Sequence, residues 1–109
     1  MHWNSIHSFD DLEIIKRGSF TKPQAIFKHS IRCNISSVVK NRLDKSPDDL
    51  GVDFFYLDLI SYREISDTIA ETFQVHHESP QILLIKNGNC IYDESHLAIT
   101  IDDLLEHVH

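Results

Sequence analysis

The sequence has little of what small disulfide-stapled scaffolds depend on. Two cysteines in 109 residues are too few for a disulfide framework and fit a reduced, cytosolic compartment. Three glycines and three prolines exclude collagen-like repeats and low-complexity linkers. No apolar run approaches the ~20 residues that a membrane-crossing helix needs, so no membrane partner is expected. No basic stretch leading into an apolar segment reads as a signal peptide. Basic residues are outnumbered, 10 against 17 acidic ones, for a formal net charge of −7. That balance argues against a general nucleic-acid binder, which needs Lys and Arg to neutralise phosphates.

What is present suffices for one domain over residues 1–109. The chain is 41% hydrophobic, enough for a core without a metal or a disulfide. Its charge is unevenly spread. Residues 1–42 hold seven basic side chains against three acidic ones, a balance of +4, while residues 43–109 hold three against fourteen, a balance of −11. The basic third contains Cys33.

Periodicity predicts the elements. Trp3 to Ile6 reads as a short edge strand. Ser8 with Asp11 three residues later signals a helix start, Phe9, Leu12 and Ile15 repeat at helical spacing, and Gly18 is a stop. Residues 24–28 form a buried strand behind Pro23. From Cys33 the period changes, and Ile35, Val38, Val39 and Leu43 predict a helix with those four on its apolar face. Residues 44–51 are a loop and residues 53–58 a strand. Ser61 and Glu64 have capping-box spacing ahead of Ile65, Ile69 and Phe73. Residues 81–86 form a third buried strand, Asn87-Gly88 a two-residue hairpin, and residues 89–93 its return. Thr100 and Asp103 cap a last helix bearing Ile101, Leu104, Leu105 and Val108. The order (β)αβαβαββα predicts an α/β fold, with a mostly parallel sheet, an antiparallel edge and helices on both faces.

Cys33 falls at a strand-to-helix junction. Free N–H groups and the helix dipole favour an anion there, and a thiolate is one. Lys28, His29 and Arg32 flank it, and the Ser36 hydroxyl is placed one turn on to donate to a thiolate. A buried, inert Cys is the alternative, since free Cys behaves as a small hydrophobe. Ser79-Pro80 opens a buried strand after a polar loop. That setting suits a cis peptide, with an ordinary trans proline as the alternative.

These residues carry a resemblance. Lys22-Pro23 before the strand, residues 28–36 (Lys-His-Ser-Ile-Arg-Cys-Asn-Ile-Ser) after it, residues 78–81 (Glu-Ser-Pro-Gln) and residues 86–88 (Lys-Asn-Gly) resemble the thioredoxin superfamily. Within it they are similar to the YtxJ-like monothiol bacilliredoxins of the bacillithiol system. The resemblance spans nearly the whole chain in matching order. It implies a thioredoxin-like fold with a mixed sheet of four to five strands and helices on both faces. It implies Cys33 as nucleophile assisted by Ser36, with Pro80 as the cis proline. Lys28, His29, Arg32, Asn34, Ser79 and Pro80 would form the substrate-binding surface. The implied activity is removal of a low-molecular-weight thiol, bacillithiol, from mixed disulfides with proteins. S-thiolated proteins would be the partners and the small thiol a co-substrate, with no bound cofactor. Asn34 stands where the family has Pro. Dithiol thioredoxins carry a buried acid and a second Cys at positions held here by Phe27 and Ser36.

Cys90 is not expected to resolve an adduct on Cys33. If the strand after Pro80 starts at the end that carries Cys33, the hairpin beside Cys90 lies ~20 Å away along that strand, and a disulfide needs Cα atoms within ~7 Å. The histidines lack metal-ligand spacing: His76 and His77 are adjacent, and His107 and His109 end the chain. An alternative to the enzyme is a non-catalytic thioredoxin-fold adaptor in stress response, using the Pro80 groove to bind a partner. A cluster-binding monothiol glutaredoxin is disfavoured, because residues 94–97 lack the glycines that type carries.

Overall fold

The structure is a computed structural model and describes residues 1–108. Strands β1 (Trp3–Ser5), β2 (Gln24–His29), β3 (Asp53–Asp58), β4 (Gln81–Lys86) and β5 (Asn89–Ser95) form one mixed sheet in the order β1-β3-β2-β4-β5. Helices α1 (Phe9–Gly18), α2 (Asn34–Asp44), α3 (Arg63–Phe73) and α4 (Ile101–Glu106) cover it, with a 3-10 turn at His96–Ala98.

Side-chain alternation along β2 decides which helix meets which face. Ala25 and Phe27 point to one side and pack with Val39 and Leu43 of α2 and Leu104 of α4. Ile26 points to the other and packs with Leu12 and Ile15 of α1 and Ile65 and Ile69 of α3. All six residues of β2 are buried, the apolar Ala25, Ile26 and Phe27 together with the polar Gln24, Lys28 and His29.

Local signals explain most boundaries. Ser8 Oγ accepts from Asp11 N, and Asp11 Oδ2 accepts from Ser8 N, closing the expected capping box. Thr100 Oγ1 accepts from Asp103 N at the start of α4. Asn87 and Gly88 both have positive φ, 54° and 80°, the requirement of the tightest hairpin turn. A Cβ on Gly88 would meet the Phe20 ring at 2.9 Å, so that position needs glycine twice over.

Three expectations are corrected. The sheet is not mostly parallel: β4 runs antiparallel to β2 as well as to β5. Residues 74–80 return the chain to the edge where β2 ends; seven residues span up to ~24 Å, about the length of a strand. Ser61 does not cap α3, because its Oγ donates to Asp58 Oδ2 at 2.9 Å and the helix starts after Tyr62. The buried face of α2 is Ser36, Val39 and Leu43. Ile35 and Val38 are 41% and 52% exposed, so the apolar stripe is rotated by one position from the expected one.

Candidate active site

β2 delivers its C-terminal end to a tight turn. His29 O accepts from Leu59 N, and Ser30 O accepts from Cys33 N at 3.1 Å. Cys33 is then the N-cap of α2: its backbone is extended, its carbonyl accepts from Ser37 N, and its side chain makes no capping hydrogen bond. The half-buried thiol therefore stands over the first helical turn, where N–H groups lack intrahelical partners. Arg32 and Asn34 flank it and are exposed.

β4 begins at the same edge, since Gln81 pairs with Lys28 in register. The Ser79–Pro80 peptide just before it is cis. Pro80 is buried and its carbonyl accepts from His96 N at 2.9 Å. Ser79 Oγ is buried without a partner. Beside this turn, His96 Nε2 lies 3.2 Å from Glu78 Oε2.

Three predicted site residues, Ser36, Lys28 and His29, sit differently from expectation. Ser36 is fully buried, and its hydroxyl accepts from Ser30 N at 3.1 Å and meets His29 Nδ1 at 2.6 Å. It braces the turn from beneath rather than pairing with the sulfur. Lys28 is not part of the surface around Cys33. Alternation turns it to the α3 side, where it is 0% exposed. Its Nζ donates to Ser66 O at 3.3 Å and lies 3.3 Å from His77 Nδ1. Burial pulls its pKa from 10.5 to about 8, against the opposing pull of Asp67.

His29 is also interior, against the rings of Phe27 and Tyr56 at 5.8 Å and 5.6 Å. Burial, then Lys40, lowers its pKa, so it is a neutral partner for Ser36. The basic third of the sequence does not gather at Cys33. Lys22 pairs with Asp53 at the start of β3, Lys40 with Asp44, and Arg42 donates to the carbonyls of Leu97 and Ile99. Arg32 is the basic side chain left on the cysteine turn.

Cys90 pairs with Ile85 at the hairpin end of the sheet, opposite the edge that carries Cys33. It packs on the α1–α3 side, and burial raises its pKa from 9.0 to about 11. Among the described residues no three metal-ligating side chains cluster; His109 lies outside them. The contacts of Ser66 and His77 with Lys28 were missed from sequence. The available signal was a lysine at an inward-facing position of a buried strand, which requires polar partners.

Comparison with solved structures defines the class. One described as a candidate oxidoreductase with a thioredoxin fold superposes with a TM-score of 0.85 at 29% identity, over 98% of this chain and 94% of that one. Thioredoxin Mala s 13 of Malassezia sympodialis gives 0.75 at 15% identity, over 96% and 90% of the two chains. Thioredoxin NaTrxh of Nicotiana alata gives 0.74 at 19%, over 98% and 93%. The fold is that of thioredoxin, and the chemistry of the class is thiol redox. The chain belongs to the monothiol bacilliredoxins: the family model described as Monothiol bacilliredoxin BrxC matches residues 4–104. No helix is long and apolar enough to cross a membrane among the described residues.

Proposed function

We propose that the protein removes a small thiol, bacillithiol, from its mixed disulfides with proteins, using Cys33 as the sole nucleophile. The observation that carries this reading is the separation of the two cysteines. Cys33 caps a helix at the edge where the cis peptide lies, while Cys90 is paired with Ile85 at the opposite end of the sheet.

The Cys33 thiolate attacks the small-thiol sulfur of a protein mixed disulfide. A bond forms between Cys33 and the small thiol, the old S–S bond breaks, and the protein leaves as a thiolate that takes up a proton. A second small-thiol thiolate then attacks the adduct. It forms the symmetrical small-thiol disulfide and restores Cys33. No internal thiol within reach does this, so the small thiol is a co-substrate and no bound cofactor is needed. Arg32 offers a counter-charge to a carboxylate-bearing thiol, and Asn34 and the backbone before Pro80 offer polar contacts to an extended chain. The free cysteines suit a reducing cytoplasm.

Incubation with peptides carrying mixed disulfides of bacillithiol, coenzyme A and glutathione, read by intact mass, tests this. Bacillithiol is expected to transfer to Cys33 fastest. Transfer that persists in Cys33→Ser, or no transfer from any of the three, overturns it. In that case, binding of a partner with Cys33 unreactive toward alkylation would favour the adaptor.

A further inference from the structure

We propose that Lys28 and His77 are positioning residues, forming a buried strut that holds the segment leading into the Ser79–Pro80 peptide and so sets how well a mixed disulfide is bound. The inference rests on the function proposed above and adds residues that never touch the sulfur.

The geometry is specific. Lys28 of β2 and Gln81 of β4 are register partners, so their side chains leave the sheet on the same face. From there they reach consecutive residues of one loop. Gln81 Nε2 donates to His76 O at 2.9 Å, and Lys28 Nζ stands 3.3 Å from His77 Nδ1. Lys28 Nζ also donates to Ser66 O of α3 at 3.3 Å, and Ser66 Oγ lies 3.4 Å from the same His77 nitrogen. The loop is thereby tied to both the sheet and α3, two residues before the cis peptide. A position this buried in a central strand is ordinarily apolar, as Ile26 is two residues earlier. A charge retained there has to be matched by partners, and those partners all lie under this loop.

Proton bookkeeping fits the arrangement. An ammonium only donates, so His77 Nδ1 is the acceptor and the imidazole proton sits on Nε2. The charged groups facing the pair are Asp67 and Arg63 of α3 and Glu78 of the loop. Burial, then Lys28 and Arg63, lowers His77, while burial holds Lys28 near 8. The charged lysine and the neutral histidine coexist at neutral pH, and the strut slackens as pH rises through about 8.

The test compares Lys28→Met, His77→Leu and His77→Gln with the unaltered protein. One readout is saturation with a bacillithiol–peptide mixed disulfide, and the other is the rate of Cys33 alkylation. Lys28→Met and His77→Leu are expected to raise KM about tenfold while alkylation stays within about twofold. Gln restores an acceptor, so His77→Gln should raise KM less than about threefold. KM of the unaltered protein should rise above pH 8 and that of Lys28→Met should not. An unchanged KM in Lys28→Met, or KM and alkylation changing together, overturns the strut. If Lys28→Met does not fold, His77→Leu decides, since His77 lies at the loop. If the unaltered protein transfers no bacillithiol, the function fails by itself and the strut is read from the imidazole 15N shifts of His77. An Nε2–H ring that changes in Lys28→Met supports it; an Nδ1–H ring overturns it.

Discussion

Replacing Lys28 with methionine should make the protein more stable at neutral pH, although it removes a buried hydrogen-bonding group. Burial holds the ammonium at about 8 instead of 10.5, which corresponds to about 3 kcal/mol against the folded charged state. Solvent screening reduces this to about 2 kcal/mol. Methionine keeps the volume and abandons the contacts with Ser66 O and His77 Nδ1; the first acceptor stays within α3 and the second keeps Ser66 Oγ, so the cost is about 1 kcal/mol. The expected balance at pH 7 is therefore a gain of about 1 kcal/mol for the variant. The sign of the pH dependence follows from the lowered folded pKa. The penalty is complete below about 8 and is relieved as pH rises toward 10.5, because the unfolded chain alone binds the proton in that window. The advantage of the variant should thus shrink between pH 8 and 10 and then give way to a deficit of about 1 kcal/mol, the hydrogen bond that methionine lacks. Urea unfolding at several pH values measures this, followed by Trp3, which packs against Phe27, Phe54 and Tyr56. Titration of Cys90 and the tyrosines is common to both proteins and cancels in the difference. A variant less stable at pH 7 by a margin that does not move with pH would refute the reasoning. Stability and binding are then expected to change in opposite directions above pH 8, the fold tightening while the loop loosens.

Three other outcomes are expected. Cys90→Ala should leave transfer to Cys33 unchanged, and in the native protein Cys90, raised to about 11, should alkylate far more slowly than Cys33 at pH 8; mass spectrometry of labelled peptides checks both. Ser36→Ala strands Ser30 N–H and His29 Nδ1 beneath the cysteine turn, so chemical denaturation should show a loss of about 1–3 kcal/mol. Gly88→Ala combines a φ of 80° with a ring atom 2.9 Å from the new Cβ, and a loss of about 1–2 kcal/mol is expected by the same assay.

The elements were legible because their signals are local. The Ser8–Asp11 box, the Asn87-Gly88 hairpin and the Thr100 cap each rest on contacts three residues apart or fewer, and each stands where periodicity put it. Ser61 failed as a cap because an acid three residues upstream, Asp58, took its hydroxyl. The parallel sheet failed because strand–helix–strand order does not reveal whether a following loop turns the chain back.

The site was legible where position along the chain sufficed. Cys33 and Ser79-Pro80 share one edge because β4 runs antiparallel to β2, and Cys90 is at the other. It was not legible where side-chain direction decided. Lys28, His29 and Arg32 are close neighbours in the chain, yet they end in three environments: beneath α3, beneath α2, and exposed on the turn. Strand alternation separates the first two, and the turn exposes the third. Summed charge over a segment carries none of that information. Ser36 was misread for a related reason: its hydroxyl was counted from helix spacing, while its partner came from the strand below.

The placement of the two cysteines also governs how the protein's history is preserved. A dithiol enzyme forgets what oxidised it, because closing its own bridge expels the agent. Here that closure is geometrically out of reach, so under the proposed function a thiol that arrives at Cys33 would stay until another molecule lifted it away. Each oxidised copy would then be a chemical imprint of its last encounter. Weighing the protein as it comes from its own cells would identify the thiol by the mass it left behind.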